Sequence, residues 1–188
     1  MAINVKNILA NALLELCESN SLESMTIKQL LDKTGVSRQT FYNHFIDKND
    51  LIQYVYDTKI VPDFNDENMS MNFYESLLIT FQSMKKYNKF MKQASMMDGQ
   101  NCLKDYIFEH CKEFDLKWHQ ELYGTEPMPE ALKFATIYHA TASSSMTLSW
   151  ILSDMPASCE EMAKMIVQMR GIGMDSLFKD SKGKGNPY

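Results

Sequence analysis

The sequence of 188 residues predicts an all-helical protein. Apolar residues recur at three- and four-residue steps along most of the chain, which is the spacing of one face of an α-helix. Residues that can cap a helix start precede several of these segments, and glycine or proline follows them. No segment alternates apolar and polar residues with a period of two, so we expect no sheet. The expected architecture is an N-terminal three-helix domain over residues 1–50 and a larger C-terminal helical domain over residues 62–178.

The first helix is predicted between Val5 and Cys17. Its apolar residues fall on one face of the helix and must pack against the helices that follow. These residues are Val5, Ile8, Leu9, Ala12, Leu13 and Leu16.

Two short helices joined by a tight turn are predicted within residues 25–51. Thr26 can cap the first helix, and Gln29, three residues later, completes a capping box. Gly35 suits the left-handed conformation that commonly ends a helix. Ser37 then repeats the capping pattern for the second helix. This is the order of features in a helix-turn-helix, whose second helix enters the DNA major groove.

The second of these helices has an apolar side and a polar side. Phe41 and Phe45 fall on the apolar side and must point into a core. The polar side carries amide, hydroxyl, phenol, guanidinium and imidazole groups and no carboxylate: Arg38, Gln39, Thr40, Tyr42, Asn43 and His44. Arginine suits guanine edges, glutamine and asparagine suit adenine edges, and hydroxyls and imidazole suit phosphate oxygens. The alternative is an ordinary solvated helix face, which the capped helix and turn before it disfavour.

The rest of the chain is also predicted to be helical. Asp47 to Asp50 begins a linker helix, over about residues 50–61, that ends before Pro62. Residues 63–70 are acidic and polar and predict a loop. Further helices are predicted at about 71–95, 101–123, 130–153 and 158–178, separated by turns that contain glycine or proline. The tail 179–188 lacks apolar periodicity and is predicted to be disordered.

The segment from Met25 to Leu51 closely resembles the TetR family of bacterial one-component regulators. The shared features are the Thr-led first helix, Gly35-Val36-Ser37, Thr40-Phe41-Tyr42, His44-Phe45, and Lys48 followed by Leu51. The resemblance implies a DNA-binding N-terminal domain and a C-terminal domain for ligand binding and dimerisation. It therefore implies three partners: double-stranded DNA, a second copy of the chain and an unknown small-molecule effector. A looser similarity, near Trp150, is to the subgroup that includes an activator of dihydroxyacetone kinase expression.

The resemblance also assigns roles to individual side chains. It implies phosphate contacts by Thr26, Thr40, Tyr42 and Lys48, and base or groove contacts by Arg38, Gln39, Asn43 and His44. The chain departs from the family pattern at Leu31, where alanine is usual, and at Arg38-Gln39 before Thr40. The first departure is expected to alter how the two motif helices cross, and the second predicts an unusual operator sequence.

The charge of the chain does not favour DNA binding driven by bulk positive potential. The formal net charge is −5, and residues 1–60 contain six Lys/Arg against seven Asp/Glu. We therefore expect weak non-specific affinity and a shallow salt dependence. The same balance supports an alternative, in which a regulator-like adaptor has lost operator binding and acts through protein contacts.

Localisation follows from what the sequence lacks. We expect neither a signal peptide nor a transmembrane helix, because no apolar run approaches about 18 residues. The four cysteines, Cys17, Cys102, Cys111 and Cys159, are scattered without metal-binding spacing, so we expect reduced core residues. The protein is expected to be cytoplasmic, to have no membrane contact and to need no cofactor.

The C-terminal domain is rich in residues that could line a ligand pocket. Thirteen of the fifteen methionines lie between Met69 and Met174. Methionine fills adaptable apolar space, so a pocket is one reading and an ordinary core is the other. The candidate pocket residues are Phe81, Met84, Phe108, Trp118, Tyr138, Met146 and Trp150.

The last two predicted helices could pack against a second copy of the chain. Small residues from Ala140 to Ser145 would allow a close approach, and apolar residues recur along the final helix. The candidate interface residues are Ala142, Ser145, Met162, Ile166 and Met169. The alternative is packing within one subunit.

An enzymatic function is not expected. His110, His119 and His139 lack the spacing of metal ligands, and the sequence contains no nucleophile elbow or phosphate-cradling glycine loop. We therefore predict neither catalytic residues nor a metal site.

Overall fold

The computed structural model describes residues 4–61 and 73–182, with residues 175–182 described by their backbone alone. Helices account for the regular structure in this part of the chain, and no strand occurs in it. In chain order they are α1 (Val5–Cys17), α2 (Ile27–Thr34), α3 (Arg38–Tyr42), α4 (Lys48–Val55), a π-helical turn (Tyr56–Ile60), α5 (Phe73–Lys86), α6 (Asn88–Met96), α7 (Leu103–Tyr123), α8 (Glu130–Leu152) and α9 (Cys159–Lys182). The all-helical prediction is confirmed.

Local capping explains where the short N-terminal helices begin and end. Thr26 Oγ1 accepts a hydrogen bond from the Gln29 amide (3.3 Å), and Gln29 Oε1 accepts one from the Thr26 amide (2.7 Å). Gly35 ends α2 with φ of 70°, a left-handed conformation that glycine adopts without steric cost. Ser37 Oγ accepts from the Thr40 amide (3.0 Å) at the start of α3. The two capped helices and the glycine turn between them are therefore as predicted.

The apolar sides of these helices form the core of the N-terminal domain. Leu9 and Leu13 of α1 are fully buried, as are Leu30 of α2 and Phe41 of α3. The Phe41 and Phe45 rings lie 5.7 Å apart between centroids. Because Phe41 and Phe45 point inward, the opposite side of α3 is turned towards solvent.

The C-terminal helices form a bundle in which α7 packs most extensively on α8, and α5 on α9. The predicted helix over 71–95 is two helices, because the chain bends at Tyr87 (φ −104°, ψ 36°). Asn88 Nδ2 donates to the Lys85 carbonyl (3.1 Å), which satisfies one of the last carbonyls of α5. No glycine or proline marks this break, so periodicity alone did not reveal it.

Two predicted segments fall partly or wholly outside the described residues. The acidic loop predicted over 63–70 lies outside them. Helix α9 runs to Lys182, which is four residues into the segment predicted as a tail, and residues 183–188 again lie outside the described part of the chain.

Specific hydrogen bonds join the N-terminal helices to the C-terminal bundle. Gln93 of α6 accepts from the Leu22 amide through Oε1 (2.6 Å) and donates to the Cys17 carbonyl through Nε2 (3.1 Å). Asn49 and Gln53 of α4 each donate to a main-chain carbonyl of the α6–α7 loop, both at 3.0 Å. Helices α4 and α6 thus connect the two parts of the molecule.

Candidate nucleic-acid interface and interior cavity

The polar side of α3 is exposed, as predicted. Arg38, Gln39, Asn43 and His44 are exposed, and 45 % of the surface of Tyr42 is accessible. No carboxylate lies among these residues, so this surface can donate hydrogen bonds to bases and phosphates without an acidic group to repel them.

Two residues of this surface are held in position by their neighbours. The Arg38 guanidinium carbon lies 5.5 Å from the centroid of the Tyr42 ring, a cation–π distance. The Tyr42 ring in turn contacts the edge of the buried Phe41 ring at 5.3 Å. Contact with the core therefore limits the orientations of Tyr42, and Tyr42 limits those of Arg38.

The two predicted threonine contacts also serve as helix-start residues. Thr26 is exposed and caps α2. Thr40 is half-buried, and its Oγ1 lies 2.7 Å from Ser37 Oγ, the cap of α3. Each hydroxyl lies at the first turn of a helix, where unpaired main-chain amides also favour a phosphate.

Lys48 is placed differently from the prediction of a phosphate contact. Its Nζ donates to the carbonyls of Leu22 (2.8 Å), Glu23 (2.9 Å) and Met25 (2.9 Å). Burial lowers the pKa of the Lys48 ammonium, and the charge of Glu23 opposes that shift. The three donors of this ammonium are thus used within the protein, and Lys48 fastens the loop that leads into α2.

Lys28 is a cation that the sequence reasoning missed. It is exposed in the first turn of α2, two residues after Thr26. Lys33 instead pairs with Glu15 at 2.8 Å, and Lys6 lies 5.5 Å from the centroid of the Phe45 ring. Lys28 lies close to the Thr26 cap in the sequence and is one of few cations in the domain. These two features could have identified it as a candidate from the sequence.

The C-terminal bundle contains a partly open cavity of about 90 Å³, lined by residues of α5, α7, α8 and α9 together with Tyr56 and Val61. Of the predicted pocket residues, Phe81 and Met84 line it. Trp150 packs on Phe81, with ring centroids 5.5 Å apart, and is buried in the core. Two of the seven predicted pocket residues therefore line this cavity.

The other predicted pocket residues lie outside this cavity. Phe108 and Trp118 are half-buried and do not line this cavity. Tyr138 and Met146 are more than half exposed on the outer side of α8. Helix α8 packs on the core through a face that carries the small residues at 140 and 144. The face that carries Tyr138 and Met146 is therefore turned to solvent.

A buried ion pair lies at one side of the cavity. Arg170 Nη2 is hydrogen-bonded to Asp115 Oδ2, and both side chains are 4 % exposed. Arg170 Nε also donates to Ser143 Oγ (3.3 Å), and the guanidinium lies 4.6 Å from the Phe73 ring centroid. Burial raises the pKa of Asp115, and the charge of Arg170 opposes this shift.

Helix α9 presents two apolar faces rather than the single stripe that the sequence suggested. Met162 and Ile166, predicted as dimer-interface residues, pack in the core of the subunit rather than on an exposed face. Met169 is exposed, as are Ala142 and Ser145 on α8. Helical side chains three or four residues apart share a face. Residues 162, 166 and 170 therefore form a face turned to the core, and residues 165, 169 and 172 form a second face turned to solvent.

The cysteines are unpaired, and the described residues offer no metal-binding cluster. All four cysteines are free, and Cys17, Cys102 and Cys159 are buried. Among the described residues, no cluster of three or more His, Cys, Asp or Glu side chains could hold a metal ion. In the same part of the chain, no helix combines the length and apolarity needed to cross a membrane.

Comparison with known proteins agrees with this arrangement. Residues 9–55 match the family described as "Bacterial regulatory proteins, tetR family", and residues 71–170 match the family described as "Transcriptional regulator C-terminal region". The first match covers the helix-turn-helix, and the second spans most of the C-terminal bundle.

One curated relative and one solved structure resemble the chain over much of its length. The HTH-type dhaKLM operon transcriptional activator DhaS of Lactococcus lactis subsp. lactis (strain IL1403) is 22% identical over 127 residues, which is 62% of this chain and 68% of the relative. The solved structure of the dihydroxyacetone kinase operon activator DhaS superposes with a TM-score of 0.67 at 19% identity, covering 98% of this chain and 100% of that one. That structure has the same helical fold. The chain is a transcriptional regulator of the TetR family, and not an enzyme.

Proposed function

We propose that the chain binds a palindromic operator as a homodimer and that a small molecule in the C-terminal domain controls this binding. The observation that carries the proposal is the exposed side of α3, which bears hydrogen-bonding side chains and no carboxylate. The dimer would place two such helices in successive major grooves, about 34–36 Å apart.

The DNA contacts divide into two classes. Arg38, Gln39, Asn43 and His44 would contact base edges or the groove, because they are the exposed side chains of the recognition helix and the turn after it. Thr26, Thr40, Tyr42 and Lys28 would contact phosphates. In this assignment Lys28 takes the role that the resemblance gave to Lys48.

The outward faces of α8 and α9 support the dimer. Phe134 is 74 % exposed, Ile172 is 67 % exposed, and Tyr138, Met146 and Met169 are each more than half exposed. Exposed apolar residues at helical spacing on two neighbouring helices are typical of a protein–protein interface. We propose that these faces meet their equivalents in a second copy, with Ala142 and Ser145 allowing the helices to approach closely.

The interior cavity supports control by a small molecule. It has an apolar side, with Phe81 and Met84, and a polar side, with Asp115 and Arg170. A ligand there would shift the bundle helices only if it bound one arrangement of them more tightly than another. Helices α4 and α6 would carry that shift to the recognition helices, because their side chains form the hydrogen bonds between the two parts of the molecule.

The same mechanism can produce either activation or repression. A ligand that favours the DNA-bound spacing would produce an activator, and one that favours another spacing would produce a repressor. The curated relative is named an activator. A reporter gene driven by the operator, measured with and without the chain, determines the sign.

Binding to the DNA that flanks the chain's own gene tests the proposal. Fluorescence anisotropy should show saturable binding that an excess of unrelated DNA does not abolish. Gln39→Ala should mainly change the sequence preference, whereas Lys28→Ala should weaken binding to all sequences similarly. Equal affinity for flanking and unrelated DNA would contradict operator binding.

The near-neutral charge of the N-terminal domain supports a second candidate function. An adaptor that acts through protein contacts would keep the helix-turn-helix fold but bind no DNA specifically. The adaptor predicts no preference in the anisotropy experiment and no effect of Gln39→Ala on any DNA.

A further inference from the structure

A surface cleft of about 390 Å³ lies apart from the interior cavity. It lies between the end of α5, helix α6 and the turn that joins α8 to α9. Its walls include Lys85, Lys89, Lys92, Gln93 and Asp154. Its volume lies within the range of about 300–1,000 Å³ that is usual for small-molecule sites.

The charge of this cleft is opposite to that of the whole chain. Three lysines and one aspartate line it, which gives a net formal charge of +2, whereas the chain carries −5. A concave surface lined by one sign of charge concentrates ligands of the opposite sign. The cleft therefore favours an anion.

Two of the three lysines pair with carboxylates that an anionic ligand can replace. Lys89 Nζ pairs with Glu18 Oε2 at 2.9 Å, and Lys92 pairs with Asp154. All four of these side chains are more than a third exposed, so each pair is weak. Lys85 makes no ion pair among the described residues. A ligand with two or more negative charges would contact several ammonium groups at once and could displace the single carboxylates.

One wall of the cleft is apolar and unusually shaped. Met155 is 8 % exposed and has a φ of 54°, a left-handed conformation that is rare for a residue with a large side chain. Asp154 beside it has a φ of 62°. Ile151, also buried, extends this wall. The cleft thus offers cations to a charged group and apolar contact to the rest of a ligand.

We infer that this cleft, the α6 cleft, binds a small multiply charged anion, such as a phosphorylated metabolite. Lysine ammonium groups bind phosphate as point charges. The inference does not depend on operator binding, because the cleft can be tested on protein free of DNA. It also concerns a site separate from the interior cavity.

Occupancy of the α6 cleft would be linked to the N-terminal domain. Lys89 also donates to the Glu18 carbonyl (3.1 Å), and Gln93 holds the Cys17 carbonyl and the Leu22 amide. These atoms lie at the end of α1 and in the loop before α2. An anion that draws Lys89 from Glu18 therefore changes contacts that position the helix-turn-helix.

Isothermal titration of the full-length, DNA-free protein with pyrophosphate at constant ionic strength tests the site. We expect saturable binding at one site per chain. Lys85→Gln combined with Lys92→Gln should weaken it by about tenfold, since two solvent-exposed charge contacts are removed. Lys86→Gln is the matched control, because Lys86 is adjacent in sequence but lies over the Tyr87 ring and outside the cleft.

The outcomes distinguish the site from general charge effects. Absence of saturable binding, or equal weakening by the double variant and by Lys86→Gln, overturns the proposal. A double variant that binds pyrophosphate normally but binds DNA less tightly also overturns it, because the lysines would then contact the DNA backbone. Thermal unfolding of each variant verifies that it is folded.

Hydrogen exchange on the same samples tests the link to the N-terminal domain. At a pyrophosphate concentration that saturates the wild type but not the double variant, the exchange rate of the Leu22 amide should change in the wild type and change less in the double variant. Unchanged exchange with saturated binding would overturn the link.

Discussion

At the scale of single residues, the same side-chain type has different roles depending on what surrounds it. Lys28 and Lys48 are both lysines at helix starts, and the resemblance to the TetR family assigned Lys48 to a DNA contact. Lys48 Nζ instead has three carbonyl partners, whereas Lys28 is exposed beside the Thr26 cap. Position relative to the loop before α2, which sequence spacing does not reveal, separates the two roles.

Substitution of these two lysines should have different consequences. Lys48→Ala leaves three carbonyls without their charged donor, so we expect the free energy of unfolding to fall by about 1–2 kcal/mol. Lys28→Ala should leave stability unchanged, weaken DNA binding and reduce the salt slope by about 1. Thermal unfolding and anisotropy measure the two effects. If the Lys48→Ala variant had normal stability but bound DNA poorly, Lys48 would be assigned a direct phosphate contact instead.

His119 should make stability depend on pH. It is buried with its Nδ1 2.7 Å from Thr136 Oγ1, and burial lowers its pKa from 6.5 to about 3. Between these two values the unfolded chain binds a proton that the folded chain does not, so stability falls as the pH drops through this window. His119→Leu should reduce the slope of the unfolding free energy against pH by up to about 1.4 kcal/mol per unit there. Urea denaturation at a series of pH values measures the slope, and identical slopes for variant and wild type would refute the assignment.

At the scale of elements, the helices that could be predicted are those with local signals. Thr26, Gln29, Gly35 and Ser37 fixed the bounds of the helix-turn-helix because each acts on main-chain atoms within four residues. The break at Tyr87 has no glycine or proline and was missed. The Asp115–Arg170 pair joins residues 55 positions apart, and only the packing of α7 on its neighbours brings them together.

Helix α9 shows why a face can be misassigned from sequence. Its methionines and isoleucines occur at steps of three and four, which fits either of two adjacent faces. The structure buries Met162 and Ile166 and exposes Met169. An isolated sequence cannot say which face meets the subunit core, because that depends on the orientation of α5 and α8.

The outward face of α9 provides a prediction about assembly. Met169→Glu should convert a dimer to a monomer without unfolding the subunit, because it places a charge at the centre of the proposed apolar interface. Met96→Glu, at another exposed methionine on α6, is the control and should leave the dimer intact. Sedimentation equilibrium measures the mass of each. A dimer that tolerates Met169→Glu would show that this face is not the interface.

At the scale of the whole molecule, charge separates this regulator from proteins that bind DNA by bulk attraction. The chain carries −5, and on the surface formed by α2 and α3 the cations are few, with Lys33 paired to Glu15. In the proposed mode of binding, specific contacts by a few aimed side chains would therefore supply most of the discrimination between DNA sequences.

The salt dependence of DNA binding follows from this charge. Few phosphate contacts release few counterions, so the slope of log K against log salt should be shallower than about −6 for the dimer. Anisotropy titrations over a series of salt concentrations measure it. A steeper slope would indicate many more cations at the DNA than the exposed side of α2 and α3 provides.

Selection of sequences from a random double-stranded DNA library by the purified chain tests the central claim most directly. We predict enrichment of a palindrome whose half-sites lie one helical turn apart, about 34–36 Å. Gln39→Ala should shift the bases enriched within each half-site without changing the spacing. Recovery of DNA with no common sequence, at yields that depend on salt alone, would contradict sequence-specific operator binding.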